Sequence, residues 1–240
     1  RQRRGLTQYE ARKKMRDRNH FGSMMVELGD ADAFISGITR NYPETIRPAL
    51  QVIGTQKGVN KIAGMYILFT KHGPFFFADT TVNVNPSAED IVAITALVAK
   101  IVARFKVTPR IALLSYSNFG SAEGEDPIKM REATRMLHEQ HPNIIVDGEI
   151  QANFALNKEL RTEIFPFSEL ARRNTNTLIF PNLSSGNIAY KLMQEMGDTE
   201  AIGPILLGMK KPVHILQLGS SVREIVNMVT IAVADVQTRK

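Results

Sequence analysis

Short, unbroken apolar runs recur along this chain, each followed by a polar turn and then by a stretch whose apolar residues fall at helical spacing. Ile62 to Phe69, Phe75 to Phe77, Arg110 to Leu114, Asn143 to Val146, Thr177 to Phe180 and Val213 to Leu218 are such runs. A strand with one wet face alternates polar and apolar residues, whereas a continuous run implies cover on both faces. Strands of this kind separated by helices predict an α/β fold with a mostly parallel sheet. Ala33 to Ser36 reads as a further short strand, and Asp147-Gly148 as the end of the strand that starts at Asn143.

The helices are marked by their starts and stops. Thr7 and Glu10 form a capping box that opens a helix to about Arg18. A second runs from Phe21 to Leu28 and stops at Gly29, and Pro43 opens a third near Glu44 to Ile53. Pro86-Ser87 precedes a long amphipathic helix to about Phe105, with Ile91, Ile94, Val98, Ile101, Val102 and Phe105 on one face. Helices are also expected over Pro127 to Gln140, in short pieces between Glu149 and Phe165, over Ser184 to Met196, and over Ser221 to Val236.

Composition narrows the class. Hydrophobic residues make up 43% of the 240 and charged residues 22%, an ordinary balance for a water-soluble domain. The longest oily stretch, Ile91 to Val102, is interrupted by Thr95 and Lys100, so no membrane span is expected. No apolar stretch follows Arg1, Arg3 and Arg4, so a signal peptide is not expected either, and a cytoplasmic location is. The first residue is not Met, and the start reads as a cut. With no cysteine there is no disulfide framework, thiol nucleophile or zinc–thiolate site. Of 30 basic residues eight lie in the first 18, against two acidic ones, and the remainder is balanced at 22 each. Such a tract can meet phosphates or nucleic acid. With no aromatic side chains interleaved for base stacking, a solvated helix face is the plainer reading, and no nucleic-acid partner is expected.

Ligands of parallel sheets sit beyond the carboxyl ends of the strands. Here those ends deliver Ser115 to Ser121, Asp147 to Glu149, Pro181 to Asn187, and Gly219 to Ser221. Small hydroxyl and amide residues beside helix starts suit phosphate or carbonyl groups, although Ser and Asn also cap helices without any ligand. There is no G-x-G-x-x-G turn, Walker A loop or G-x-S-x-G elbow. His138 and His141 could form a metal pair but lack an evident third ligand, so no metal is expected. Asp147 and Glu149 are candidates for acid–base work or for capping the next helix.

Taken together, LLSYSNFGSA (Leu113 to Ala122), IVDGEIQANFAL (Ile145 to Leu156), IFPNLSSGNIAYKL (Ile179 to Leu192), GPILLGMKKPV (Gly203 to Val213) and GDADAFISGITRNYPETIRPALQVI (Gly29 to Ile53) resemble the phosphate acetyl/butyryl transferase family over essentially the whole chain. The resemblance implies two α/β domains with a cleft between them, the second inserted into the first: 1–50 plus 202–240, and 51–201. It also implies CoA in the cleft, and transfer of an acetyl group between CoA and phosphate. Active members end their last strand with Asp-Leu-Ser-Arg-Gly, followed by an Asp on the next helix. The corresponding stretch here is Ile215-Leu216-Gln217-Leu218-Gly219, with Glu224 at the later position. Losing one positioned donor costs about 10²–10³ in rate, so acetyl transfer is expected to be lost while the cleft persists.

HILQLGSSVREIVNMV (His214 to Val229), FPFSEL (Phe165 to Leu170) and the segment Arg4 to Ile35 resemble the C-terminal part of hybrid NADP-dependent malic enzymes. That implies an acetyl-CoA sensor attached to a malic-enzyme domain, a homo-oligomer, and NADP and a divalent metal held in the attached half. The alternatives are an active phosphate acetyltransferase and a pure assembly domain. The residues implied to contact acetyl-CoA are Arg47, Ser115, Ser117, Gly120, Ser121, Asn182, Gly186, Asn187, Tyr190, Lys191, Gly203, Pro204, Gly208, Gln217 and Glu224.

Overall fold

The structure, a computed structural model, describes residues 1–197 and 199–239. The chain divides into two compact units, Arg1–Asn60 with Pro204–Lys240, and Lys61–Gly203. The second unit interrupts the first in sequence. No helix among the described residues is long and apolar enough to cross a membrane.

The first unit is built on two parallel strands, β1 (Phe34–Gly37) and β8 (Val213–Leu216), paired from Phe34 opposite Val213 to Gly37 opposite Leu216. Helices α1 (Gln8–Lys14), α2 (Arg18–Leu28), α3 (Tyr42–Val52) and α9 (Val222–Arg239) belong to the same unit. The capping box of Thr7 and Glu10 forms as expected. The helix read to about Arg18 ends at Lys14 and the one read from Phe21 begins at Arg18, because the Asp17 side chain accepts from the amides of Asn19 and His20 and caps α2 there.

The sheet of the second unit has the order β5-β4-β6-β3-β2-β7. Its strands are β2 (Ala63–Thr70), β3 (Gly73–Ala78), β4 (Arg110–Leu114), β5 (Ile145–Ile150), β6 (Thr177–Ile179) and β7 (Glu200–Leu207), the last running on into the first unit. β3, β6, β4 and β5 are parallel neighbours, and β2 runs antiparallel to β3. The helices are α4 (Ala88–Arg104), α5 (Glu125–Gln140), α6 (Ala152–Leu156), α7 (Lys158–Ile164) and α8 (Leu183–Met196). Ser87 and Asp90 cap α4, and its Ile91, Ile94, Val98 and Val102 are fully buried. Each such side chain contributes about 1.5–3 kcal/mol by leaving water. Ile111, Ala112 and Leu113 of β4 are equally buried, as a strand covered on both faces must be.

Two strands depart from expectation. β7 was not among the expected strands, and it contains Gly203-Pro204. β7 lies at the sheet edge, where a missing amide is tolerated. β5 does not stop at Asp147-Gly148 but runs through Glu149 to Ile150. Its polar residues stay in the sheet because their oxygens find donors. Asp147 accepts from the amides of Gly148 and Glu169 (2.9 Å each) and from the Ser168 hydroxyl (2.6 Å). Arg161, fully buried, donates to the carbonyls of Phe154, Ala155 and Leu170 and so closes the turns after β5. Burial pushes its guanidinium pKa down.

Candidate functional site

In the second unit the carboxyl ends of β3, β4, β5 and β6 share one edge of the sheet. The loop after β4 is organised by a buried carboxylate. Between Leu113 and Leu114 the pairing with β5 slips by one residue, and Glu149 is the extra residue. Its Oε1 accepts from the Ser117 hydroxyl and the Gly120 amide, both at 2.8 Å, and Arg131 Nε reaches Oε2 at 3.2 Å. The Glu149 carbonyl takes the Phe119 amide, and Gln151 ties to Asn118 and to the Tyr116 carbonyl. Ser117 is fully buried. Ser117 and the Gly120 amide thus turn toward an anion the chain itself supplies. Glu149 neither caps a helix nor faces solvent. Ser115 is half-buried, and Gly120 and Ser121 are exposed, with Ser121 Oγ accepting from the Asn118 amide at 2.9 Å.

The loop after β3 follows the same plan and was missed in the sequence. Asp79, 2% exposed, accepts from the amides of Gly64, Thr81, Val82 and Asn83. An aspartate directly after an apolar strand and before Thr-Thr is the available signal, because Asx turns form there. The α8 residues settle against this loop. A side chain on Gly186 would come within 2.4 Å of the Asp79 carbonyl oxygen, so only glycine fits. Asn187 donates to the Thr80 carbonyl at 3.3 Å. Asn182 caps α8 through the Ser185 amide and donates to Asp126, which pairs with Lys129 at 2.8 Å. The ring of Tyr190 is not at the surface: it is 1% exposed and stacks on Tyr66 at 4.0 Å. Tyr66 in turn lies over Gly203, where a Cβ would fall 2.6 Å from its ring. Lys191 is exposed, 5.9 Å above the Tyr190 ring.

In the first unit the carboxyl ends of β1 and β8 lie side by side, bringing Ile38 to Arg40 next to Gln217 to Ser220. Asp17 holds this edge through His20 and Arg40, and Arg18 reaches Thr39 at 2.7 Å. Partial burial works to raise the Asp17 carboxyl, but hydrogen bonds from Arg40 and His20 outweigh it and hold it at about 2. Gln217 is half-buried, whereas Leu218 is 62% exposed. Glu224 forms a reciprocal cap with Ser221 at the start of α9, accepting its amide at 2.6 Å. Arg47, on α3, is exposed and has no ion pair among the described residues. Pro204 and Gly208 are buried on and just after β7, and the Gly208 carbonyl accepts from the Gln56 amide. His138, read as half of a metal pair, has its Nε2 2.8 Å from the Val146 carbonyl oxygen, to which it donates.

These features have close counterparts in known proteins. A family model described as phosphate acetyl/butaryl transferase matches residues 1–233. The chain belongs to the phosphate acetyl/butaryl transferase family. Phosphate acetyltransferase of Bacillus subtilis (strain 168) is 36% identical over 95% of this chain and 70% of that protein. NADP-dependent malic enzyme of Escherichia coli (strain K12) is 39% identical over 99% of this chain but only 31% of that protein. Phosphate acetyltransferase of Nitratidesulfovibrio vulgaris is 38% identical over 100% of this chain and 34% of its own length. This member of the family therefore spans about a third of the length of two of these relatives. A phosphotransacetylase from Streptococcus pyogenes superposes with a TM-score of 0.92 at 37% identity, over 98% of this chain and 72% of that one. The mixed α/β fold with a mostly parallel sheet is thus that of the family's phosphotransacetylases.

Proposed function

We propose that this chain is an acetyl-CoA-binding regulatory domain of a larger malic enzyme, a phosphotransacetylase fold from which acetyl transfer has been lost. The observation that carries the proposal is Leu218, 62% exposed at the carboxyl end of β8. By the family resemblance, active members present an arginine there and a serine one residue earlier. Leu218 offers neither charge nor hydrogen-bond donor, and Gln217 stands at the serine position. An exposed apolar side chain cannot stabilise charge developing on a phosphate or thiolate. The exposed guanidinium of Arg47, with no ion pair among the described residues, supports retained binding of a phosphate-bearing ligand. NADP and a divalent metal, and malate oxidation itself, belong in this reading to the attached malic-enzyme domain. An effector acts on that domain only by binding two states unequally, typically worth about 1–3 kcal/mol.

One observation favours a second reading, an active phosphate acetyltransferase: Glu224 is held by Ser221 one turn beyond the loop, near where the family's Asp is expected. Isothermal titration with acetyl-CoA, with an acetyl phosphate assay on the same sample, separates the two. Binding without turnover is expected. Sustained acetyl phosphate formation overturns the proposal in favour of the acetyltransferase, and absence of both leaves an assembly domain.

A further inference from the structure

The basic tract of the first unit is left unanswered by the fold. The turn Gln2–Arg4 and helix α1 hold no buried residue. Both acids of the tract are engaged inside the chain: Glu10 closes the capping box with Thr7, and Asp17 is held by His20 and Arg40. Lys14 lies within the field of Glu10. Arg3, Arg4, Arg12, Lys13 and Arg16 are exposed and form no ion pair among the described residues. Along the sequence no aromatic side chain alternates regularly with these cations. Helix α1 nevertheless brings a ring into their row, because Tyr9, 77% exposed, stands three and four residues before Arg12 and Lys13. Side chains at those spacings are surface neighbours, with Cβ atoms about 5–6 Å apart.

A protein partner is met through an apolar core, from which lysine is depleted. This surface has no such core: Leu6, Ala11 and Met15 are half-buried, and Tyr9 is the one exposed ring of residues 1–18. Guanidinium groups take phosphate oxygens in pairs, and any base stacks on an exposed ring. Cations with a single ring among them, on a helix only about 10 Å long, suit a flexible strand rather than the groove of a duplex. We propose that this surface binds single-stranded nucleic acid, with phosphates on Arg3, Arg4, Arg12, Lys13 and Arg16 and one base on Tyr9. None of these residues is among those implied to contact acetyl-CoA, so the two proposals stand or fall separately.

Titrating the full chain into fluorescein-labelled oligouridylate or oligothymidylate of about 12 nucleotides, followed by anisotropy, tests this. Five phosphate contacts give a slope of log affinity on log salt of about −3.5, or a loss of about 100-fold between about 50 and 200 mM salt. Arg12→Glu combined with Lys13→Glu should flatten that slope by about 1.4. Tyr9→Ala should weaken binding about 10-fold at unchanged slope, whereas Tyr9→Phe keeps the ring and the affinity. Lys71→Glu, on the exposed turn between β2 and β3 of the second unit, should change binding by less than about 2-fold. The two strands should bind alike, since neither phosphate contact nor stacking reads the 2′-hydroxyl. No binding at micromolar chain in about 50 mM salt overturns the proposal. So does a loss with Lys71→Glu equal to that of the α1 variant, which would assign binding to overall charge. Displacement by polyglutamate as effective as by unlabelled oligonucleotide overturns it in favour of an acidic protein partner.

Discussion

Two loops at the carboxyl ends of parallel strands are built in opposite ways. The loop after β4 wraps a fully buried carboxylate, and Ser117, Gly120 and Arg131 all donate to Glu149. Among the described residues the loop after β8 wraps no buried carboxylate. It is held by a backbone turn from Ser220 to Gln217 and by the Ser221–Glu224 cap, among other contacts, and its tip carries an exposed leucine. The first loop holds its shape whatever binds, because its own anion occupies its donors. The second has only what its side chains offer a ligand, and Leu218 offers nothing polar. Substitution at the second loop therefore changes chemistry at little structural cost, which is how a fold can keep its frame and lose a reaction.

The largest effect should come from removing the charge at the centre of the first loop. Glu149→Gln keeps the size of the side chain but leaves the Arg131 guanidinium without its counter-charge. It also turns one of the two acceptor positions into a donor facing a donor. Breaking a buried charged network costs about 3–5 kcal/mol, and the partial exposure of Arg131 lowers that to about 2–4 kcal/mol. Urea unfolding measures it. A loss below about 1 kcal/mol would mean that the loop does not depend on Glu149, and the contrast with the β8 loop would collapse.

How much of this could be read from the sequence depended on distance along the chain. Continuous apolar runs such as Arg110 to Leu114, the capping pair Thr7–Glu10 and the Pro86-Ser87 helix start announce themselves within a few residues. The loops after β4, β5, β6 and β8 were located because each directly follows such a run, whereas the loop after β3 was passed over. The orientation of their side chains was not legible. Ser117 looks like a ligand contact until Glu149, 32 residues later, is seen to claim it. Tyr190, implied by the resemblance to contact acetyl-CoA, looks available on its helix until Tyr66 is found stacked on it. The edge strand β7 was not among the expected strands, and only its neighbours reveal the close approach of Tyr66 that requires Gly203.

A second effect acts on β8 rather than on the first loop. His214 is 1% exposed, and its Nε2 is buried with no hydrogen-bond partner. Burial holds its imidazole down at about 4 from the ordinary 6.5; nearby Asp235 works against the shift and Arg239 with it. Because the folded value lies below the unfolded one, the stability that depends on neutral His214 is intact above about 6.5. It is lost as the pH falls from there to about 4. The difference corresponds to about 3 kcal/mol. Asp17, held near 2, loses its contribution only below its ordinary 3.8 and so outside this window. Unfolding followed from about pH 7 to about pH 4.5 should show the decline, and His214→Leu should flatten it. An unchanged slope in the variant would place the acid sensitivity elsewhere and remove the link to the β8 strand.

The smallest effect, and the one that best separates the two functional readings, is expected from Glu224→Ala. Its carboxylate accepts the Ser221 amide and its own amide is capped by Ser221, both exposed. An exposed cap of this kind is worth about 1 kcal/mol, well below the figure for Glu149→Gln. Hydrogen exchange should show fraying confined to the first turn of α9. If Glu224 only caps, acetyl-CoA affinity falls slightly and there is no turnover to lose. If instead the wild-type chain makes acetyl phosphate and Glu224→Ala abolishes it at nearly unchanged stability, Glu224 is a base and the β8 loop is a working site. The open loop would then be open because its ligand completes it, and the contrast between the two loops would be one of use rather than of decay.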